Sequence, residues 1–120
     1  MPVPKSPDSQ LWRSGIDAVE AVGSLPETIN SGLNFSGYDV GMFYVYPTGG
    51  AQPTIEIMVW NSETSKWIST VPAATFTGPA VDTEFTFTVP AYGRGLYARV
   101  SAIGAGSVSI SAAGHTSGSW

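Results

Sequence analysis

Thr54-Ile55-Glu56-Ile57-Met58-Val59-Trp60 alternates strictly: Ile55, Ile57 and Val59 fall on one side, Glu56, Met58 and Trp60 on the other. A period of two is that of a pleated strand with one face against a core. The polar loop Asn61-Ser-Glu-Thr-Ser65 follows, and Lys66–Val71 returns as a second strand, which makes a hairpin. Upstream, Tyr38–Tyr46 is dense in aromatic and β-branched residues and ends at the turn Pro47-Thr-Gly-Gly50. Downstream, Glu84–Val89 alternates with Phe85, Phe87 and Val89 inward, Leu96–Ala102 with Leu96, Ala98, Val100 and Ala102 on one face, and Ser107–Ala112 with Val108, Ile110 and Ala112 against serines. Pro90 to Gly95 and Gly104-Ala-Gly106 supply turns, and Pro72 to Val81, which has no period, is expected to cross between sheets. Half-apolar strands each need a second layer to bury one face, so these six strands after residue 37 predict an all-β, two-sheet antiparallel sandwich. Jelly-roll and immunoglobulin-like topologies both fit.

Composition agrees. Among the 120 residues, 11 valines, 7 isoleucines and 11 threonines stand against only 4 leucines, and 14 glycines with 9 prolines punctuate the chain. β-branched side chains fit a pleated surface and lose rotamer freedom in a helix. Charged residues make up 12% of the chain, against about 25% in an ordinary globular protein. Five cations and a net charge of −4 argue against binding to nucleic acid or to an anionic membrane surface. The absence of cysteine removes disulfides, thiolate catalysis and cysteine-held zinc. No apolar run approaches the roughly 18 residues of a membrane span, and the start, Met1-Pro-Val-Pro-Lys-Ser-Pro7, shows no secretory hydrophobic region.

Three parts are expected: residues 1–36 as an extended N-terminal arm, with a short helical turn or a first strand as alternatives, residues 37–114 as the sandwich, and residues 115–120 as a flexible tail. Pro2, Pro4 and Pro7 favour an extended start. Leu11, Trp12, Ile16, Val19, Val22, Leu25, Ile29, Leu33 and Phe35 follow neither the helical nor the strand period, which fits an arm lying on a protein surface.

Reactive groups are sparse. The single histidine, His115, sits among glycine and serine near the C-terminus, a poor frame for a general base. Asp82 and Glu84 share one strand face, but charged side chains on an outer face ordinarily serve solubility and block edge pairing. Glu56 and Glu63 read as solvated. The tripeptide Asn34-Phe-Ser36 matches a glycosylation acceptor without a secretory context. No catalytic, cofactor-binding or metal-ligating residue is assigned, and no cofactor is expected. Aromatic residues carry more information. Tyr38, Val40, Met42, Tyr44 and Tyr46 share one parity opposite Phe43 and Val45, which leaves a tyrosine-rich outer face if Phe43 points inward, and Trp60 falls on an outer face too. Such faces stack on sugars or anchor protein contacts, unless the strand is central and covered on both sides.

The run Trp60-Asn-Ser-Glu-Thr-Ser-Lys-Trp67-Ile-Ser and the stretch Phe85-Thr-Phe-Thr-Val-Pro-Ala-Tyr-Gly-Arg-Gly-Leu-Tyr-Ala-Arg-Val100 resemble small virion proteins of tailed bacteriophages. The resemblance covers roughly residues 38–113 and lies in pattern. It implies a capsid decoration (cement) protein, an oligomeric sandwich, trimeric by the resemblance alone, that binds the major capsid protein and copies of itself on the capsid surface after synthesis in the host cytoplasm. Leu11, Trp12, Ile16, Val19, Tyr44 and Trp60 are the expected contact residues. The alternative is a carbohydrate- or receptor-binding module with Trp60, Trp67 and Tyr92 as a sugar platform. A small sandwich enzyme is the third and weakest reading.

Overall fold

A computed structural model describes residues 10–17, 25–26, 28–91 and 95–115, with the side chains of residues 10–12 outside the description. Among the described residues eight strands form: β1 (Gln10–Asp17), β2 (Leu33–Asn34), β3 (Val40–Thr48), β4 (Ala51–Asn61), β5 (Lys66–Thr77), β6 (Phe85–Pro90), β7 (Gly95–Gly104) and β8 (Ser107–His115). A single 3-10 turn at Ile29–Ser31 precedes β2. The strands make two four-stranded antiparallel sheets, a front sheet in the order β1-β8-β3-β6 and a back sheet in the order β2-β7-β4-β5. The first strand thus pairs with the eighth, the second with the seventh, the third with the sixth and the fourth with the fifth. All six strands expected after residue 37 are present.

Alternation decides what each sheet buries. On β3, Gly41, Phe43, Val45 and Pro47 point inward while Val40, Met42, Tyr44 and Tyr46 are half-buried on the outer face. On β4, Ile55 and Ile57 are buried and Val59 packs against the same cluster. Phe87 and Val89 from β6, Leu96, Ala98 and Val100 from β7, and Val108, Ile110 and Ala112 from β8 complete the interior. The Phe43 and Phe87 rings stack at 5.3 Å, and Phe76 stacks on Phe87 at 4.1 Å, which closes the side where β5 and β6 lie over one another. Each large apolar side chain removed from water contributes about 1.5–3 kcal/mol, so this interdigitated layer is the main stabilising element.

Residues 10–17 form the edge strand β1 against β8, the first-strand alternative for that span. Four features differ from the sequence reading. Leu33 and Phe35, placed in the arm, enter the core, Phe35 at 6.0 Å from the Phe43 ring. Two register shifts in β1 and a positive φ of 65° at Gly15 erase the strand period there, which is why the spacing looks irregular. Residues 1–9, 18–24 and 27 of the expected arm, and residues 116–120 of the expected tail, lie outside the described residues. β5 continues past Pro72 to Thr77, and the crossover between sheets is confined to residues 78–84. On β7 the alternation slips beyond Val100: Ala102 is exposed and Ile103 is buried instead, beside register shifts in the β4 pairing. His115, expected in a loose tail, closes β8, where its carbonyl accepts a hydrogen bond from the Asp39 N–H at 3.0 Å.

The loops at one end are fixed by close contact. Gly106 sits in the β7–β8 turn with φ +71°, and a Cβ there would collide with the Thr48 carbonyl and the Gly49 backbone, so only glycine fits.

Candidate functional site

The back sheet's outer face carries an aromatic cluster. Strand pairing sets Trp60 beside Trp67 and Met58 beside Tyr97, and these four side chains pack with Leu25 into a second apolar cluster apart from the core. Trp60 meets Trp67 edge-on at 5.1 Å, and the Trp67 ring lies 5.5 Å from that of Tyr97. The Trp67 indole N–H donates to the Thr28 carbonyl at 3.3 Å, and Gly32 presses against the Trp67 ring so closely that a Cβ has no room. From the edge of the front sheet, Arg13 donates to the Tyr97 hydroxyl at 2.8 Å and lies over its ring at 5.8 Å. Leu25, Thr28, Gly32 and Arg13 therefore cover this cluster, and Trp67 keeps only 5% of its surface.

That cover leaves Trp67 little free surface, while Trp60 stays half-buried. A sugar platform needs flat, open rings, and Trp67 is buried between the strap and the sheet. Tyr92, its third expected member, lies outside the described residues. A hollow of ≈ 170 Å³ lined by Leu25, Pro26, Lys66 and Trp67 remains, well under the roughly 300–1,000 Å³ of ordinary small-molecule sites.

The expected contact residues are scattered. Ile16 is a correction: it is 1% exposed, pairs with Val108 and belongs to the core, because β1 folds onto the sandwich instead of leaving it. Leu11 and Trp12 lie in β1, but their side chains fall outside the description, as does all of Val19. Tyr44 is half-buried on the front sheet's outer face, where its hydroxyl contacts the Met42 sulfur at 2.8 Å. Trp60 is half-buried on the opposite outer face. Tyr44 and Trp60, the two half-buried candidates whose side chains are described, thus sit on opposite faces of the sandwich.

The acidic candidates have structural partners. Asp82, at φ 55°, accepts hydrogen bonds from the Gly50 and Ala51 N–H groups at 2.8 and 3.1 Å, while its own N–H donates to the Ala51 carbonyl at 2.8 Å. It ties the crossover to the β3–β4 turn, leaving Glu84 exposed beyond it. Glu56, expected to be solvated, is largely buried and faces Arg99 across the β4–β7 pair at 3.7 Å. Asn34 accepts a hydrogen bond from the Ser36 N–H at 2.9 Å, a local turn that helps aim Phe35 inward. Among the described residues no three His, Asp or Glu side chains group closely enough to hold a metal ion, and no helix is long and apolar enough to cross a membrane.

One surface escaped the sequence reading. Along β5, Lys66, Trp67, Ile68 and Ser69 pair with Asn61, Trp60, Val59 and Met58, and Ala74, Thr75, Phe76 and Thr77 pair with Ile57, Glu56, Ile55 and Thr54. Ile57 and Met58 are adjacent, so Thr70, Val71, Pro72 and Ala73 have no partners on β4 and form a four-residue bulge on the sheet's free edge. Val71 is 98% exposed. The Thr70 hydroxyl donates to the Pro72 carbonyl at 2.9 Å and braces the bulge. Ile68 and Val81 are the other large apolar side chains exposed on this side, and no charged residue occurs from Trp67 to Val81. The lack of charge over this run is the one signal that was legible in advance. No protein-family model, no curated protein and no solved structure matches the chain.

Proposed function

We propose that the chain is a structural virion protein, a capsid decoration protein that binds across major capsid subunits and stabilises the shell. The observation that carries this reading is the strand pairing, first with eighth through fourth with fifth. Such pairing is that of one long hairpin ribbon rolled into two sheets, and it supports a jelly-roll topology, an architecture that recurs in viral capsid and lectin domains. A surface poor in charge favours the same reading, since few ionic groups must lose water when the protein packs against another. The resemblance of the hairpin Trp60–Trp67 and of residues 85–100 to phage virion proteins points the same way. Residence on the capsid surface, after synthesis in the host cytoplasm, follows from that reading.

Shell stabilisation would come from many modest contacts acting together, because linked weak contacts bind more tightly than any one of them. The test mixes the purified chain with undecorated capsids of the phage that encodes it and sediments them. The proposal expects saturable co-sedimentation and a higher unfolding temperature of the shell. A chain left entirely in the supernatant at saturating concentration overturns it. A glycan titration followed by tryptophan emission belongs in the same experiment, because a shift abolished by Trp60→Ala, with no capsid binding, would establish the carbohydrate-binding alternative.

A further inference from the structure

We propose that the outer face of the front sheet binds a neutral saccharide, laid along β3 over Tyr44 and Tyr46. The inference does not depend on the capsid reading, and it puts the sugar on the face opposite Trp60 and Trp67.

The ring surface comes first. Tyr44 and Tyr46 project from the same side of β3, about 6.5–7 Å apart, the span of two residues on a strand. The Tyr44 hydroxyl reaches the sulfur of Met42, two residues back on that face, at 2.8 Å. It does so only by leaning along β3, so the phenol lies down on the sheet with its hydroxyl already engaged. What remains for a ligand is the ring, and rings hold sugars through the C–H groups of a pyranose face.

Hydroxyls flank the rings. Pairing sets Tyr44 between Thr86 of β6 and Ser111 of β8, and Tyr46 beside Ser109. Ser111 is only 7% exposed, yet its hydroxyl has no hydrogen-bond partner among the described residues. The Thr86 hydroxyl donates to the Phe43 carbonyl at 2.8 Å and keeps its lone pairs. The Ser109 hydroxyl accepts from the Gly15 N–H at 3.3 Å and keeps its proton. Acceptor and donor capacity thus stand side by side next to the rings. A polyol supplies both complements at once, whereas an apolar protein patch would bury them unpaired.

Charge narrows the class. β3, β6 and residues 107–114 of β8 contain no charged residue. A sulfated or uronic-acid chain would find no cation on these strands, so the ligand is an uncharged saccharide.

Native electrophoresis of the full chain through gels containing dextran, galactomannan or hydroxyethyl cellulose, three uncharged polymers, tests the site. At least one should retard the chain, and added chondroitin sulfate should not relieve the retardation. Tyr44→Ala should raise the apparent Kd about tenfold, while Tyr44→Phe should keep it. Ser111→Ala should raise it about threefold. Val71→Ser, on the other sheet, should migrate like the parent. If Tyr44→Ala departs from the parent in far-UV circular dichroism or tryptophan emission, Tyr46→Ala replaces it, with a similar loss expected. Migration unaffected by all three polymers, retardation indifferent to both alanine substitutions, or retardation abolished by Trp60→Ala alone overturns the proposal. Loss of capsid co-sedimentation in Tyr44→Ala, with no retardation of the parent, overturns it too and assigns the face to a protein.

Discussion

The two flanks of the sandwich are closed by different means. On one, β1 carries Arg13 and Asp17, shifts register twice against β8, and faces the two-residue strand β2. Charge, bulges and short length are the devices by which edge strands are kept from pairing with other chains. This flank is also tied inward, by Ile16 in the core and by Arg13 on Tyr97. On the other flank, β5 and β6 lie together through Phe76 and Phe87, and neither Trp67 to Val81 nor Phe85 to Ala91 contains a charge. β5 interrupts its edge with a bulge, yet the bulge presents apolar side chains. One flank is spent on the fold, while the other leaves Val71 exposed.

That contrast can be broken most forcefully at Ile16. Ile16→Ala removes a fully buried side chain from the closed flank and should cost about 2–5 kcal/mol, read as a lower urea midpoint with an unchanged slope. A cost below ~1 kcal/mol would mean that β1 contributes little to the core. Asp82→Ala comes next. It strips the acceptor from the Gly50 and Ala51 N–H groups and should cost about 1–3 kcal/mol by the same measurement. Gly32→Ala should cost about 1–3 kcal/mol by overpacking, and should also shift tryptophan emission, because the strap can no longer close on Trp67. Emission identical to the parent's would show that residues 25–32 do not seal that ring. The smallest effect belongs to the other flank: Val71→Ser should change stability by no more than about 0.5 kcal/mol, because Val71 is 98% exposed.

How much of this was legible in the sequence depended on whether the relevant physics was local. The parity of Phe43 and Val45 against Tyr44 and Tyr46, and the alternation of Ile55, Ile57 and Val59, follow from a period of two, and they hold. β1 was legible only as one alternative for its span, because Gly15 and two register shifts remove that period, even though Ile16 is 1% exposed. The burial of Trp67 was hidden for another reason. Its cover comes from Thr28 and Gly32, distant in sequence, and no pattern around Trp67 announces it. Glu56 and Arg99 become a pair only through the register of β4 on β7. The bulge in β5 contributes four residues with no alternation and a proline, which disguises the second half of a strand as a crossover.

Hydrogen exchange, followed by mass spectrometry on the full chain, compares the flanks most directly. Amides of residues 13–17 should exchange slowly, since their protection comes from β8. Those of Thr70, Val71 and Ala73, which have no partners on β4, should exchange quickly. Equal exchange on the two flanks, or faster exchange on β1, would contradict the account.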